Sequence, residues 1–266
     1  MRHDLCRTLE RLLVDTHLWV AAAAAGLALF ASAAMGLPLQ LPPIGVIFSA
    51  TLLIYAVDDA FDGRMRLQPA RWLTVGLGAA LLSVQLVTAP APVVVVVLIG
   101  GFPALLYGAP IRRRRFRELP GVKPFFVATS LALAAVGVPT LWVWATTLQP
   151  LAGPRVITTI GVLFLLILSN VCFFDLRDRL ADARAGVRTI PVWIGVAGTR
   201  RFCLALSLTV GLTATVGGGN LRVSLLAAAA ATAMYALFLP SPGGRLQYAL
   251  VVDGVPVLLG LSILLY

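Results

Sequence analysis

Charge is scarce in this sequence. Asp, Glu, Lys and Arg make up 12% of its 266 residues, against roughly 25% in a soluble domain. With 59% hydrophobic residues and a mean hydropathy of +0.94, a water-soluble globule is excluded and a polytopic membrane protein is expected. Acid is the scarcer sign: eleven Asp and Glu face 21 Lys and Arg, a net charge of +10. In a soluble chain such an excess would point to nucleic acid. In a membrane chain the positive-inside rule accounts for it, and no nucleic-acid partner is expected. Cysteine is nearly absent. Cys6, Cys172 and Cys203 have no paired or metal-type spacing, so no disulfide framework is implied and the latter two read as ordinary apolar residues. His3 and His17 are the two histidines, both near the N-terminus. No cleavable signal is expected, because Asp4, Glu10 and Asp15 interrupt the basic start and the first apolar run is long enough to span.

What the chain has is long apolar runs. A bilayer core needs about 20 apolar residues per helix, and the runs predict nine spans, near 17–37, 42–62, 70–88, 91–108, 122–141, 156–176, 197–217, 221–239 and 247–266. Connections alternate in character. Those at 38–41, 89–92 and 217–220 are short and almost uncharged, whereas 63–71, 109–123 and 177–201 are long and basic. Nineteen of the Lys and Arg residues fall on one side, and Arg155 and Arg222 on the other. That bias puts the N-terminus and the basic loops in the cytoplasm and, with nine spans, the C-terminus outside. A single transmembrane domain over residues 1–266 is expected.

Six of the eleven acids are concentrated in two places. Asp175, Asp178 and Asp182 follow the sixth apolar run in D-L-R-D-R-L-A-D, and spacings of three and four put them on one helical face. Stacked like charges repel, so a cation belongs among them. The alternative is a solvated helix end carrying mixed charge. Asp58, Asp59 and Asp62 end the second run in D-D-A-F-D-G-R-M-R, again with pairs on one face. Carboxylates near a bilayer face the bundle interior or a wet cavity, and both clusters lie at the cytoplasmic end of their helices. A shared, water-accessible pocket follows. Neither histidine nor cysteine joins the clusters, so zinc and copper are disfavoured. Mg²⁺, which takes one or two carboxylates plus phosphate oxygens, suits an all-oxygen set. Arg64, Arg66, the run Arg112 to Arg115, Arg117, Lys123, Arg177 and Arg188 could grip phosphate. For the Arg112 run, a topology signal with lipid-headgroup contact is the alternative.

These motifs resemble those of the UbiA superfamily of intramembrane prenyltransferases. The family's second aspartate motif, D-x-x-D-x-x-x-D with a following Gly and a Thr-Leu-Pro-like tail, is matched throughout by D-L-R-D-R-L-A-D-A-R-A-G-V-R-T-I-P. The first, N-D-x-x-D-x-x-x-D, is matched as Asp58-Asp59-Ala-Phe-Asp62, with Asp58 where Asn is usual and Arg66 where the last Asp is expected. The segment L-Y-G-A-P-I-R-R-R-R-F-R-E-L-P-G-V-K is similar to the family's stretch after the fourth helix and contributes Tyr107, Pro110 and Lys123.

The resemblance implies an all-α bundle of nine transmembrane helices. It also implies Mg²⁺ held by Asp58, Asp59 and Asp62 and by Asp175, Asp178 and Asp182, and an isoprenoid diphosphate whose tail lies in an apolar tunnel. Metal and arginine charge stabilise the leaving diphosphate, and an acceptor captures the allylic cation. Tyr55, one turn before Asp58, is a candidate for cation stabilisation or for packing, and Asn170 for the pocket or for helix packing. Family acceptors range from 4-hydroxybenzoate to sugar and glycerol phosphates, and no residue here selects one. Arg66 either weakens a metal or binds phosphate directly. Alternative readings are an intramembrane terpene cyclase working without an acceptor, a non-enzymatic transporter, and a relative that binds isoprenoid without turnover.

Overall fold

The architecture comes from a computed structural model, which describes residues 2–61, 69–108, 110–111, 114–115, 121–149, 153–217, 221–241 and 243–265. Arg66, Asp62, Arg64 and Arg112, all expected near the site, lie outside these residues. The apolar runs form helices because lipid offers backbone N–H and C=O groups no partners, so each run must satisfy them internally. In chain order these are α1 (Arg2–Leu9), α2 (Leu18–Ala34), α3 (Leu41–Phe61), α4 (Pro69–Thr88), α5 (Ala91–Gly108), α6 (Val122–Thr147), α7 (Gly153–Arg184), α8 (Ile190–Gly217), α9 (Arg222–Phe238), α10 (Arg245–Tyr248) and α11 (Gly254–Leu261). A wide π-type turn, Ala249–Asp253, joins the last two into one apolar segment. Two-residue strands β1 (Pro110–Ile111) and β2 (Arg114–Arg115) pair antiparallel after α5.

The expected all-α membrane fold is present. Among the described residues five helical segments are each long and apolar enough to cross a bilayer: Leu41–Phe61, Arg71–Thr88, Val122–Thr147, Gly153–Arg184 and Arg245–Leu265. Cys6–Val14 and Leu18–Ala34, bent by 56° at the break between them, make a sixth if taken as one span. Ala91–Ala104 and Arg222–Phe238 are shorter apolar helices. The helix α7 runs eight residues past the expected end of its span, and the whole second aspartate motif lies within it. In α8, Gly195 adopts φ 70° and ψ −178°, a backbone state open essentially to glycine, and breaks the helix near its start.

The core lies between α2, α3, α6, α7, α9 and the last segment. Small residues let backbones approach closely, as in other membrane bundles. A Cβ placed at Gly26 on α2 would come 2.5 Å from the Pro256 carbonyl oxygen of α11. Apolar side chains such as Leu73, Val87, Leu208 and Leu258 point outward, as a lipid-facing surface requires.

Candidate active site

The second motif is built at the end of α7. Asp175 is 1% exposed, and its Oδ1 meets Lys123 Nζ at 2.5 Å. Lys123 arrives on the first turn of α6, and Gly121 places it there. Gly121 has φ 71°, a left-handed state that favours glycine, and its N–H donates to the Arg188 carbonyl at 3.1 Å. The start of α6 is thereby stapled to the loop that follows the motif. Asp178 is held differently: Arg177 Nε and Nη2 donate to its two oxygens, each at 2.8 Å. The Arg177 guanidinium lies 5.5 Å from the Phe174 ring centre and 5.9 Å from that of Tyr248, so it is a fixed cation stacked between rings. Asp182 is half-buried one turn further on, and the Arg188 side chain is exposed.

The first motif is gathered at the end of α3. Asp59, expected as a metal ligand, is buried in an ionic cluster. Its Oδ2 accepts from Arg71 Nη1 at 2.6 Å and lies 3.0 Å from His17 Nε2. Arg71 reaches on to Asp15 at 3.6 Å, and Asp15 pairs with Arg245 at 3.2 Å. The sequence keeps histidine away from the clusters, and the fold corrects that. His17 sits in the bend before α2 with φ 60°, an uncommon state for a non-glycine residue, which turns α2 away from the N-terminal segment and lets the ring reach a residue 42 positions on. The same ring packs tilted on Tyr55, centroids 5.7 Å apart. Asp58 is half-buried beside it.

The remaining expected residues divide between pocket and packing. Tyr107 stacks on Phe126 with centroids 4.8 Å apart and planes nearly parallel, on the α5–α6 side. Asn170 accepts from Tyr235 Oη at 2.6 Å and donates to the Val252 carbonyl at 3.1 Å, so both ends of its amide are used between helices. Asp253, half-buried on the last segment, was not among the expected residues. It is within electrostatic range of Tyr55 on α3 and of Arg177 on α7. A lone carboxylate inside an apolar run was the signal that would have found it. No local signal marks His17 or Arg71, which meet Asp59 through tertiary structure.

Among the described residues no three His, Cys, Asp or Glu side chains converge on one metal position. The donors nevertheless fit Mg²⁺. Asp175 Oδ2 is buried without a hydrogen-bond partner, which is costly for a carboxylate oxygen, and Mg²⁺ needs one or two such ligands when phosphate supplies the rest. Lys123 and Arg177 bring positive charge to the same helix end. The arrangement suits a hard cation bridging carboxylates to a phosphate-bearing ligand.

The fold is shared with solved structures of low sequence identity. An apo UbiA homologue from Aeropyrum pernix K1 superposes with a TM-score of 0.69 at 15% identity, covering 93% of this chain and 98% of that one. A UbiA homologue from Archaeoglobus fulgidus bound to DMAPP and Mg²⁺ gives 0.56 at 14% identity, with 92% and 97% covered. A digeranylgeranylglyceryl phosphate synthase gives 0.53 at 13%, with 97% and 98% covered. No curated protein shows significant sequence similarity to the chain. The sequence profile of the UbiA prenyltransferase family matches residues 60–245, a stretch that takes in Asp62 of the first aspartate motif and all of the second, and the chain belongs to that family.

Proposed function

We propose that the chain moves an isoprenoid group from an allylic isoprenoid diphosphate to a nucleophilic acceptor, aromatic or lipid-precursor, and releases diphosphate. The observation that carries this reading is the Asp175 carboxylate, buried with one oxygen on Lys123 and the other without a hydrogen-bond partner, on the helix that bears Asp178 and Asp182. Mg²⁺ bound by these aspartates, and by Asp58 and Asp62 across the pocket, would supply the charge that stabilises departing diphosphate. Asp59 acts as a positioning residue, holding the end of α3 to α4 and to the N-terminal segment through Arg71 and His17. Lys123 and Arg177 neutralise the diphosphate oxygens. The Tyr55 ring, one turn deeper than Asp58, faces positive charge developing on the allylic carbon. Arg66, Arg112 and Arg188 remain candidates for phosphate contact at the rim, with Tyr107 along the isoprenoid path.

The same reading takes the chain as one domain of nine spans, its N-terminus and active-site loops in the cytoplasm and its C-terminus outside. The homologue bound to DMAPP and Mg²⁺ supports the donor class and the metal.

The test is diphosphate release by the detergent-purified protein from geranyl, farnesyl and geranylgeranyl diphosphate, with Mg²⁺ and with EDTA. A panel of phenolic and phosphorylated alcohol acceptors is then added. Release that needs Mg²⁺ and rises with an acceptor, with the prenyl group recovered on it, is the expected outcome. A cyclised hydrocarbon formed without acceptor would replace transferase by cyclase. Silence with every donor and acceptor would remove the enzymatic reading.

A further inference from the structure

Asp253 is the one charged residue in the stretch from Leu246 to Tyr266. It closes the π-type turn Ala249–Asp253. In an α-helix, residues five apart are rotated by about 140° from one another. A π-type turn, bonded from i to i+5, returns them to nearly the same side. Tyr248 and Asp253 are five apart; the Tyr248 ring lies 5.9 Å from the Arg177 guanidinium, and Asp253 is within electrostatic range of the same cation. The wide turn thus brings Asp253 to the face that Tyr248 already presents to the site. Neighbouring helices hold it open: Trp19 Nε1 on α2 donates to the Ala249 carbonyl at 2.8 Å, and Asn170 Nδ2 on α7 donates to the Val252 carbonyl at 3.1 Å. Wide turns of this kind concentrate at functional sites.

The carboxylate so placed differs from three others in the site. Asp59 is committed to Arg71, Asp175 to Lys123 and Asp178 to Arg177. Asp253 makes no hydrogen bond and no salt bridge among the described residues. Arg177, its nearby cation, spends its fork on Asp178. Asp253 is within electrostatic range of Tyr55, which lies one turn deeper than the first motif, on the side where the allylic carbon would sit below a diphosphate held at the helix ends. A carboxylate at membrane depth without a hydrogen-bond partner is costly, and a proton-bearing ligand would satisfy it.

We infer that Asp253 is the proton acceptor of the site, hydrogen-bonding the proton-bearing nucleophile and taking its proton as the new bond forms. The inference rests on the prenyl-transfer reading. The allylic C–O bond breaks with its electron pair left on the diphosphate. A lone pair or π pair of the nucleophile forms the bond to the allylic carbon. The proton that the nucleophile bore passes to the Asp253 carboxylate and from there to water.

The experiment uses geranyl diphosphate labelled with ¹⁸O in its bridging position, with Mg²⁺ and no organic acceptor, so that water is the nucleophile. Two quantities are read on the wild type, Asp253→Asn and Asp253→Glu. Scrambling of label into non-bridging positions reports ionisation followed by return, and net diphosphate release reports capture. A general base contributes about 10²- to 10⁴-fold. Asp253→Asn should therefore lower net release by about 100-fold or more while label scrambling persists, and Asp253→Glu should recover part of the release. Wild-type release by Asp253→Asn would overturn the inference. So would scrambling that falls in step with release, which is the pattern of a structural or ionisation role. A wild type that neither scrambles nor releases here, and stays silent with every donor and acceptor of the assay above, would instead bring down the prenyl-transfer reading itself.

Discussion

Arg71→Met tests whether the first aspartate motif is anchored as the structure shows. The substitution removes the cation that meets Asp59 at 2.6 Å, where the two side chains are 9% and 5% exposed. Breaking a buried pair by deleting one partner costs about 3–5 kcal/mol, because the survivor is left as an uncompensated charge. His17 Nε2 stays 3.0 Å from the same oxygen, which argues for the lower end, about 3 kcal/mol. At roughly 2–4 °C per kcal/mol for a chain of this size, the apparent Tm should fall by about 6–12 °C. The double variant Arg71→Met/Asp59→Leu removes both charges. Replacing a buried pair by apolar groups is close to neutral, so most of the lost stability should return. Asp15 loses its Arg71 contact at 3.6 Å in both variants and keeps Arg245 at 3.2 Å, so that change cancels in the comparison. Thermal unfolding in detergent, followed by intrinsic fluorescence, reads all three proteins. A single variant as stable as the wild type, or a double variant no better than the single, would refute the reasoning.

Three further outcomes are expected. Asp175→Ala should lower Mg²⁺-dependent diphosphate release by about 100-fold or more, the scale of losing one charge-stabilising group, with the circular dichroism of a folded helical protein; near-normal release would remove the second motif from the site. Gly260→Ala should destabilise by about 1–3 kcal/mol, the usual cost of overpacking, because its Cβ would collide with the Gly26 backbone, and thermal unfolding in detergent checks it. Tyr235→Phe deletes the 2.6 Å bond to Asn170 Oδ1 and should cost about 1–3 kcal/mol. The same melt reads that loss, and the diphosphate assay should show unaltered turnover per folded molecule.

The amount legible in the sequence differs from element to element. The helix positions were readable because lipid tolerates few alternatives to a continuous apolar helix, and the expected ends agree with α3, α4, α5 and α9 to within a residue or so. The end of α7 was not, since a charged helix can continue into water without any change of period, and it does so to Arg184. The face shared by Asp175, Asp178 and Asp182 was readable from spacing alone, as was the need for cations beside them. Which cation meets which carboxylate was not. Lys123 reaches Asp175 across 52 positions because Gly121 is stapled to Arg188, and no local pattern encodes that.

The sequence by itself determined a membrane protein, two acidic helix ends, an oxygen-only set of candidate metal ligands, and the family, because each of these rests on composition or on spacing within one helix. Tertiary structure decided how the acids differ from one another. It gave Asp59 to Arg71 and His17, left Asp175 Oδ2 without a hydrogen-bond partner, and set Asp253 at the end of a wide turn held by Trp19 and Asn170. Identical aspartates acquire different chemistry from the charges and dipoles that other helices bring to them, and those neighbours are set by packing between segments far apart in the chain.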